Sequence, residues 1–270
     1  LRQTSGEWNQ TIPARATFDS AQTGSPLWCA HPMKHLDLTL PTPAENLACD
    51  EALLAACEAQ GGTVLRFWES TVPFVVVGYG NSVATEVNLP ACTTAQMPVL
   101  RRCSGGGTVM QGPGCLNFAV VLDLAIAPDL ATVSGANRFI LCRQAAALSG
   151  LLGEPVELRG DTDLVWRGRK FSGNAQRRRR THLLFHGTIL LGLELSLVTT
   201  FLAMPTLQPA YRQQRPHREF IGNLPLSSVE VKRSLQTAWQ ADELLTVWPE
   251  EETRRLVRER YACPEWNRRR

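Results

Sequence analysis

Apolar positions recur near helical spacing in "PAENLACDEALLAACEAQ" (43–60), where Ala48, Leu53, Ala56 and Cys57 fall close together and Gly61-Gly62 stop the run. The period then changes. "TVLRFWES" and "FVVVGYG" are short, β-branched and aromatic, with Pro73 between them, which predicts two strands. "MPVLRRCSGGGTVMQGPGCLNFAVVLDL" (97–124) reads as strand, glycine loop, strand, Gly/Pro turn and strand. "DLATVSGANRFILCRQAAALSGLLG" (129–153) predicts a second long helix. Three more strands follow in "TDLVWRGRKFSGNAQRRRRTHLLFHGTILLGLEL" (162–195), turned first at Arg167-Gly168 and then at the arginine run. "ELSLVTTFLAM" starts a short helix, the stretch after Pro205 is loop-like, and helical segments run from about 227 to 260. Residues 1 to about 43 show no sustained period and read as irregular.

The strands come in antiparallel runs with helices between the groups. This excludes the alternation of a doubly wound fold and predicts an α+β fold with a mixed, largely antiparallel sheet flanked by helices. Three parts are expected: an N-terminal extension (1–35), a catalytic domain (36–225) and a short helical C-terminal segment (226–270). At 270 residues, 44% hydrophobic and 20% charged, the chain has a globular composition. No apolar run reaches the roughly 18 residues of a membrane span, so no membrane partner is expected. The start has neither a signal-peptide pattern nor an initiator Met, and reads as trimmed. Eight cysteines are scattered without a C-x-x-C pair. That argues against zinc or a disulfide framework and for small buried hydrophobes in a reducing, cytoplasmic compartment.

Net charge is only +3, but "RRRR" (177–180) and "RRR" (268–270) concentrate it. Such runs suit an acidic protein, a nucleotide or a nucleic acid. No aromatics interleave the first run, so nucleic acid is not expected. The first run is read as a hairpin tip that meets an acidic acceptor domain, the second as a solvated tail.

Candidate chemistry centres on "RRCSGGGTVM" (101–110). A P-loop needs Lys-Ser/Thr after its last glycine, and a dinucleotide loop needs G-x-G-x-x-G opening a helix; Thr108-Val109 fit neither. Glycines can still bring amides close to an anion, with Arg102 beside them. From these residues alone, a tight turn and an anion site are equally open. In "GRKFSGNAQ" strict alternation puts Lys170, Ser172 and Asn174 on one face, and Phe171, Gly173 and Ala175 on the other. His186 and Gly187 interrupt an apolar strand, where a hydrogen-bonded core histidine and a catalytic one are both possible.

Taken in order, "RRCSGGGTV", "GCLNF" (114–118), "KFSGNAQ" (170–176) and "HGTIL" (186–190), with "NLACDEALL" and "EVN" (86–88), resemble the lipoate–protein ligase family within the biotin/lipoate ligase and octanoyltransferase group. The resemblance spans roughly residues 36 to 225. It implies the mixed-sheet catalytic domain of biotin ligases, related to class II aminoacyl-tRNA synthetases. It implies ATP-dependent activation of lipoate or octanoate to the acyl-AMP, then transfer to a specific lysine of an acceptor lipoyl domain. Lys170 would be the catalytic clamp on the acyl carbonyl and α-phosphate. Arg102, Ser104, Gly105, Gly106, Gly107, Thr108, Val109 and Met110 would form the facing wall. Asn81, Asp163, Ser172, Gly173, Asn174, Ala175, His186 and Gly187 would complete the nucleotide and acyl site, with Mg²⁺ on Asp163. Val76, Val77 and Phe118 are candidates for the acyl slot. The pattern departs at "GYGNS", at Gln111 where the family commonly has His, and at Thr162-Asp163.

The short C-terminal segment implies a reduced lid, an accessory subunit or domain, or a lost first step; the chain is taken as a monomer. The nearest rival is an ATP-independent octanoyltransferase, whose nucleophilic cysteine precedes the K-x-S-G strand; residues 143–169 contain none, although Cys103 and Cys115 flank the glycine loop. A biotin ligase lacks support without a G-R-G-R-x-G string. A silent lipoyl-domain binder would not need Lys170 and Arg102.

Overall fold

The computed structural model describes residues 10–12, 32–205 and 207–269. The strands are β1 (Gln10–Ile12), β2 (Lys34–Asp37), β3 (Val64–Trp68), β4 (Phe74–Val77), β5 (Val99–Arg101), β6 (Val109–Gln111), β7 (Cys115–Asp123), β8 (Val156–Arg159), β9 (Asp163–Trp166), β10 (Arg169–Arg178), β11 (His182–Leu190) and β12 (Glu243–Leu244). The helices are α1 (Pro43–Gln60), α2 (Val83–Glu86), α3 (Leu89–Thr94), α4 (Val133–Leu152), α5 (Ser196–Phe201), α6 (His217–Phe220), α7 (Ser228–Trp239), α8 (Glu250–Leu256) and α9 (Pro264–Asn267).

Nine strands form one sheet in the order β1-β8-β9-β10-β11-β7-β3-β2-β12. Only the β2/β3 and β12/β2 pairs are parallel. A second sheet, β5-β4-β6, carries the glycine loop between β5 and β6. The expected α+β class with a mixed, largely antiparallel sheet is what the chain adopts. Four strands escaped the hydrophobic pattern: β1 and β2 in the stretch read as irregular, β8, and β12 in the stretch read as helical. β2 lies in the stretch read as irregular, yet it pairs with β3 over four residues. β8 is four residues of alternating burial behind Pro155, too short for a periodic signal. Most of the irregular N-terminal reading lies outside the described residues.

α1 forms because Thr42 and Glu45 close a capping box around Pro43, and Gly61 (φ 79°) ends it. Its Cys49 and Leu53 pack against Ala119 and Val121 of β7 and Leu184 of β11. The opposite face of the same strands, with Phe118, Val120 and Phe185, packs against Ile140 and Leu148 of α4 and Leu235 and Trp239 of α7. β7 is therefore buried on both faces, which is why its sequence is nearly all apolar. Among the described residues no helix is long and apolar enough to cross a membrane.

The C-terminal segment joins the core rather than standing apart. Tyr261 is fully buried and donates its hydroxyl to Glu51 of α1 at 2.7 Å. Arg101, at the root of the glycine loop, donates to the Trp266 and Arg269 carbonyls, and its amide donates to Asn267 Oδ1 at 2.9 Å.

Candidate active site

A cavity of about 690 Å³ opens between the two sheets, walled by the glycine loop, β10, β11 and the stretch from Leu202 to Ile221. Of the residues nominated from the sequence, all line it except Asn81, Ser104, Gly105 and Val77.

The glycine loop is held by its carbonyls. Arg102 donates to the Gly105 and Gly107 carbonyls at 2.6 and 2.7 Å, and to Ser104 Oγ at 3.1 Å. Asn81 Nδ2 donates to the Gly106 carbonyl at 3.0 Å and to Glu86 at 2.8 Å. With the carbonyls engaged, the Gly105, Gly106, Gly107 and Thr108 amides donate to no group among the described residues. A row of unpaired amides is an anion-binding nest. Gly106 needs to be glycine, since its φ is +81° and a Cβ would meet Arg102 Nη2 at 2.9 Å. Arg102 is thus chiefly the scaffold of the nest. Burial lowers its pKa to about 10, so it stays charged at neutral pH, and no carboxylate contacts it among the described residues.

Strict alternation fails in β10. The register against β9 shifts between Lys170 and Ser172, a one-residue bulge at Phe171. Lys170 Nζ then lies 2.9 Å from where a Cβ on Gly173 would sit, so Lys170 shares a face with Gly173 and Ala175. Ser172 and Asn174 turn to the α4 face instead, where Asn174 fills the space left by the missing Gly187 side chain. Asn174 Nδ2 donates to the Thr162 carbonyl at 2.8 Å. Its carbonyl oxygen is 3.3 Å from Ser172 Oγ. The expected face of Lys170, Ser172 and Asn174 is therefore split by the bulge.

Lys170 Nζ pairs with Asp163 Oδ1 at 2.7 Å. Asp163 Oδ2 accepts from the Tyr211 hydroxyl at 2.7 Å. Burial and the neighbouring carboxylate push the Tyr211 phenol well above its ordinary pKa, which keeps it a donor. The carboxylate expected to hold Mg²⁺ is thereby engaged at both oxygens. No group of three or more metal-ligating side chains occurs among the described residues. Asp163, held at both oxygens, does not fit a metal as it stands.

His186 has both nitrogens committed. Nδ1 lies 3.1 Å from Asp50 Oδ2, and Nε2 lies 2.5 Å from Ser104 Oγ. Asp50 is paired on its other oxygen with Arg66 Nη1 at 2.5 Å. A chain of polar contacts thus joins the two arginines: Arg66 donates to Asp50, Asp50 meets His186, His186 meets Ser104, and Arg102 donates to Ser104. Burial would raise the Asp50 carboxyl, but Arg66 and His186 outweigh it and hold it below the usual carboxylate range. The histidine braces the loop from below, and only its ring edge is left for the cavity.

Sequence reasoning missed Asp50, Arg66, Glu86, Tyr211 and Arg212. Asn46 and Asp50, four apart on the buried side of α1, were a legible polar interruption. Tyr211 and Arg212 lie in a stretch without period and gave no signal. The arginine run is mostly consumed inside the chain. Arg178 caps the Leu130 and Ala131 carbonyls, Arg179 pairs with Glu58, and Arg177 stacks on Tyr79. The run does form the expected hairpin tip between β10 and β11, with Arg177, Arg179 and Arg180 exposed there. Val76 and Phe118 do line the cavity.

The seven cysteines among the described residues are free thiols, and none lines the cavity. Cys29 lies outside the described residues. Burial pushes Cys103 and Cys115 up to about 12.

Comparison with known proteins gives this site a family. The chain is 30% identical over 261 residues to an octanoyltransferase LipM of Symbiobacterium thermophilum, covering 83% of this chain and 94% of that protein. It is 28% identical to lipoate–protein ligase 1 of Staphylococcus aureus, over 83% of this chain and 70% of that one. Among solved structures, a bipartite lipoate protein ligase of Thermoplasma acidophilum, studied with its E2 lipoyl domain, superposes with a TM-score of 0.75 at 24% identity, covering 88% and 96% of the two chains. A lipoate–protein ligase A bound with ATP superposes at 0.74, again at 24% identity, over 88% and 98%. Residues 42–239 match the lipoyl protein ligase A/B catalytic domain, and the chain belongs to that family.

Proposed function

We propose that this protein is an ATP-dependent lipoate–protein ligase, which activates lipoate or octanoate as the acyl-adenylate and passes the acyl group to a lysine of an acceptor lipoyl domain. Its relatives include both ligases and octanoyltransferases, so family membership alone does not choose between them. The observation that carries the choice is the cavity wall, which offers unpaired amides and cations but, among the described residues, no thiol. Thioester chemistry needs a thiolate at the site, and Cys103 and Cys115 are buried with high pKa values.

In the first step the acyl carboxylate attacks the α-phosphorus and pyrophosphate leaves. Negative charge grows on the α-phosphate oxygens, where the amides from Gly105 to Thr108 can donate without reorganising. Lys170 uses one of its three protons on Asp163, leaving two for the acyl carbonyl and a phosphate oxygen. In the second step the acceptor amine attacks that carbonyl. The carbonyl–phosphate bond breaks, AMP leaves with its electron pair, the amine gives up a proton to solvent, and an amide forms. Lys170 steadies the oxyanion in both steps. Trp68, Val76 and Phe118 provide an apolar wall for the acyl chain.

Mass spectrometry of the protein incubated with lipoate and ATP, without acceptor, should show bound lipoyl-AMP. A second reading, transfer from an octanoyl carrier protein without ATP, draws on the similarity to LipM. Acceptor labelling by octanoyl carrier protein that ignores ATP would replace the ligase reading with that one.

A further inference from the structure

Arg212 is 4% exposed, lines the cavity, and has no carboxylate partner among the described residues. Its Nε donates to the Arg215 carbonyl at 3.1 Å, and its Nη2 lies 3.4 Å from Met204 Sδ and 3.3 Å from His217 Nδ1. Its guanidinium stacks over Phe220 at 4.6 Å from the ring centroid. These contacts fix the plane of the fork and leave Nη1 without a hydrogen-bond acceptor among the described residues. A buried guanidinium held this way is costly unless an anion completes it. Asp163 is too far to pair with it, and both Asp163 oxygens are already taken by Lys170 and Tyr211.

The wall around Arg212 is anchored to the catalytic strand. The Gly222 amide donates to the Lys170 carbonyl at 3.0 Å, and Arg169 reaches the Arg218 carbonyl. His217 feels the charge of both Arg212 and Lys170, and burial, the largest effect, lowers its pKa, so it is not a competing cation at neutral pH. The cavity therefore presents three separate anion-seeking groups: the amide nest, Lys170 and Arg212. One carboxylate can occupy only one or two of them. A ligand that carries a phosphate away from its reacting carbonyl or phosphorus can reach all three.

We propose that Arg212 is a phosphate-binding residue, a second anion site in the cavity beyond the glycine loop and Lys170. Only the identity of the phosphate carrier rests on the ligase reading: there it is the leaving pyrophosphate of ATP, whereas in carrier-protein transfer it would be the phosphodiester of a phosphopantetheine arm. A planar, permanently charged fork suits phosphate oxygens in either case.

Calorimetric titration of α,β-methylene-ATP, AMP, 4′-phosphopantetheine and lipoate into the wild type, R212M and R212K tests this. R212M should bind α,β-methylene-ATP about 10- to 100-fold more weakly, the loss of one charge-assisted contact. AMP and lipoate affinities should stay within about threefold, and R212K should recover part of the loss. Where R212M fails to fold, R212Q is read in the same way, with lipoate affinity as the check on folding. Unchanged nucleotide affinity in a folded variant overturns the phosphate role and leaves the ligase reading standing. A wild type that ignores the nucleotide but binds phosphopantetheine, with that binding lost in R212M, supports the phosphate role and overturns the ligase reading. A wild type that binds neither overturns the proposal.

Discussion

Lys170 is the residue on which the proposed chemistry turns, and it is partly accessible rather than part of the core. Lys170→Ala should cut single-turnover acyl transfer by about 10²–10³-fold or more, the scale of an oxyanion-hole donor. Its circular dichroism and melting midpoint should stay close to wild type, and retained transfer would remove the role given to it. Asp50 behaves in the opposite way, since it is buried between Arg66 and His186. Its folded pKa lies below the ordinary carboxylate value of 3.8. Its contribution to stability is therefore complete above that value and fades as pH falls through the lower folded pKa. Asp50→Asn should cost about 3–5 kcal/mol at pH 7, and denaturant titrations of the variant should show a flatter loss of stability on acidification. A variant as stable as wild type at pH 7 would mean that the Arg66–Asp50–His186 array is not coupled to folding. Lys170 could be picked out of the sequence because a cation stood beside turn residues in an ordered motif. Asp50 was legible only as a polar interruption of α1, since its partners come from β3 and β11 and leave no trace in the helix pattern.

At the level of elements, the long helices and the double-buried strands were legible because period and capping agree there. Thr42, Glu45 and Gly61 mark α1 at both ends, and Arg167-Gly168, both at positive φ, mark the β9–β10 turn. The bulge at Phe171 was not legible, because alternation is a local rule and the register shift is set by pairing with β9. Close backbone approach is similarly invisible in sequence. A Cβ on Gly78, just after β4, would sit 2.0 Å from the Gly106 carbonyl oxygen. Gly78→Ala should therefore push the nest out of place, lowering nucleotide affinity by about tenfold or more while the nine-stranded sheet still folds. Gly173→Ala meets only the flexible end of Lys170. It should leave stability within about 1 kcal/mol and lower the transfer rate, which separates a displaced lysine from a damaged fold. Equal effects of the two substitutions on melting temperature would argue against this distinction.

Over the whole molecule, the family could be read from four ordered motifs, whereas the wall made by residues 202–221 could not. Its side chains reach the cavity through tertiary placement alone. The C-terminal segment also does more than its helical pattern suggests. Trp266, Asn267 and Arg269 satisfy the fully buried Arg101, one residue before the scaffold arginine of the glycine loop. Ending the chain at Cys263 should remove the Trp266, Asn267 and Arg269 partners of Arg101 and leave those its Nη1 makes to the Gly78, Tyr79 and Asn81 carbonyls, at a cost on the order of 3 kcal/mol, or roughly 6–12 °C in melting midpoint for a protein of this size. Nucleotide affinity should fall with it; a truncated protein that melts and binds like the full chain would show that Arg101 finds other partners. The Arg101–Asn267 contact spans 166 residues of sequence. A growing chain leaves the ribosome from its N-terminus, so the glycine loop emerges long before its brace. The large sheet can be assembled while synthesis continues, but the loop cannot take its final shape until residue 267 has cleared the exit tunnel. Competence of the site is therefore acquired late and vectorially, only once residue 267 has emerged, and a bulky insertion placed directly after Asn267 would interfere with maturation before it interfered with catalysis.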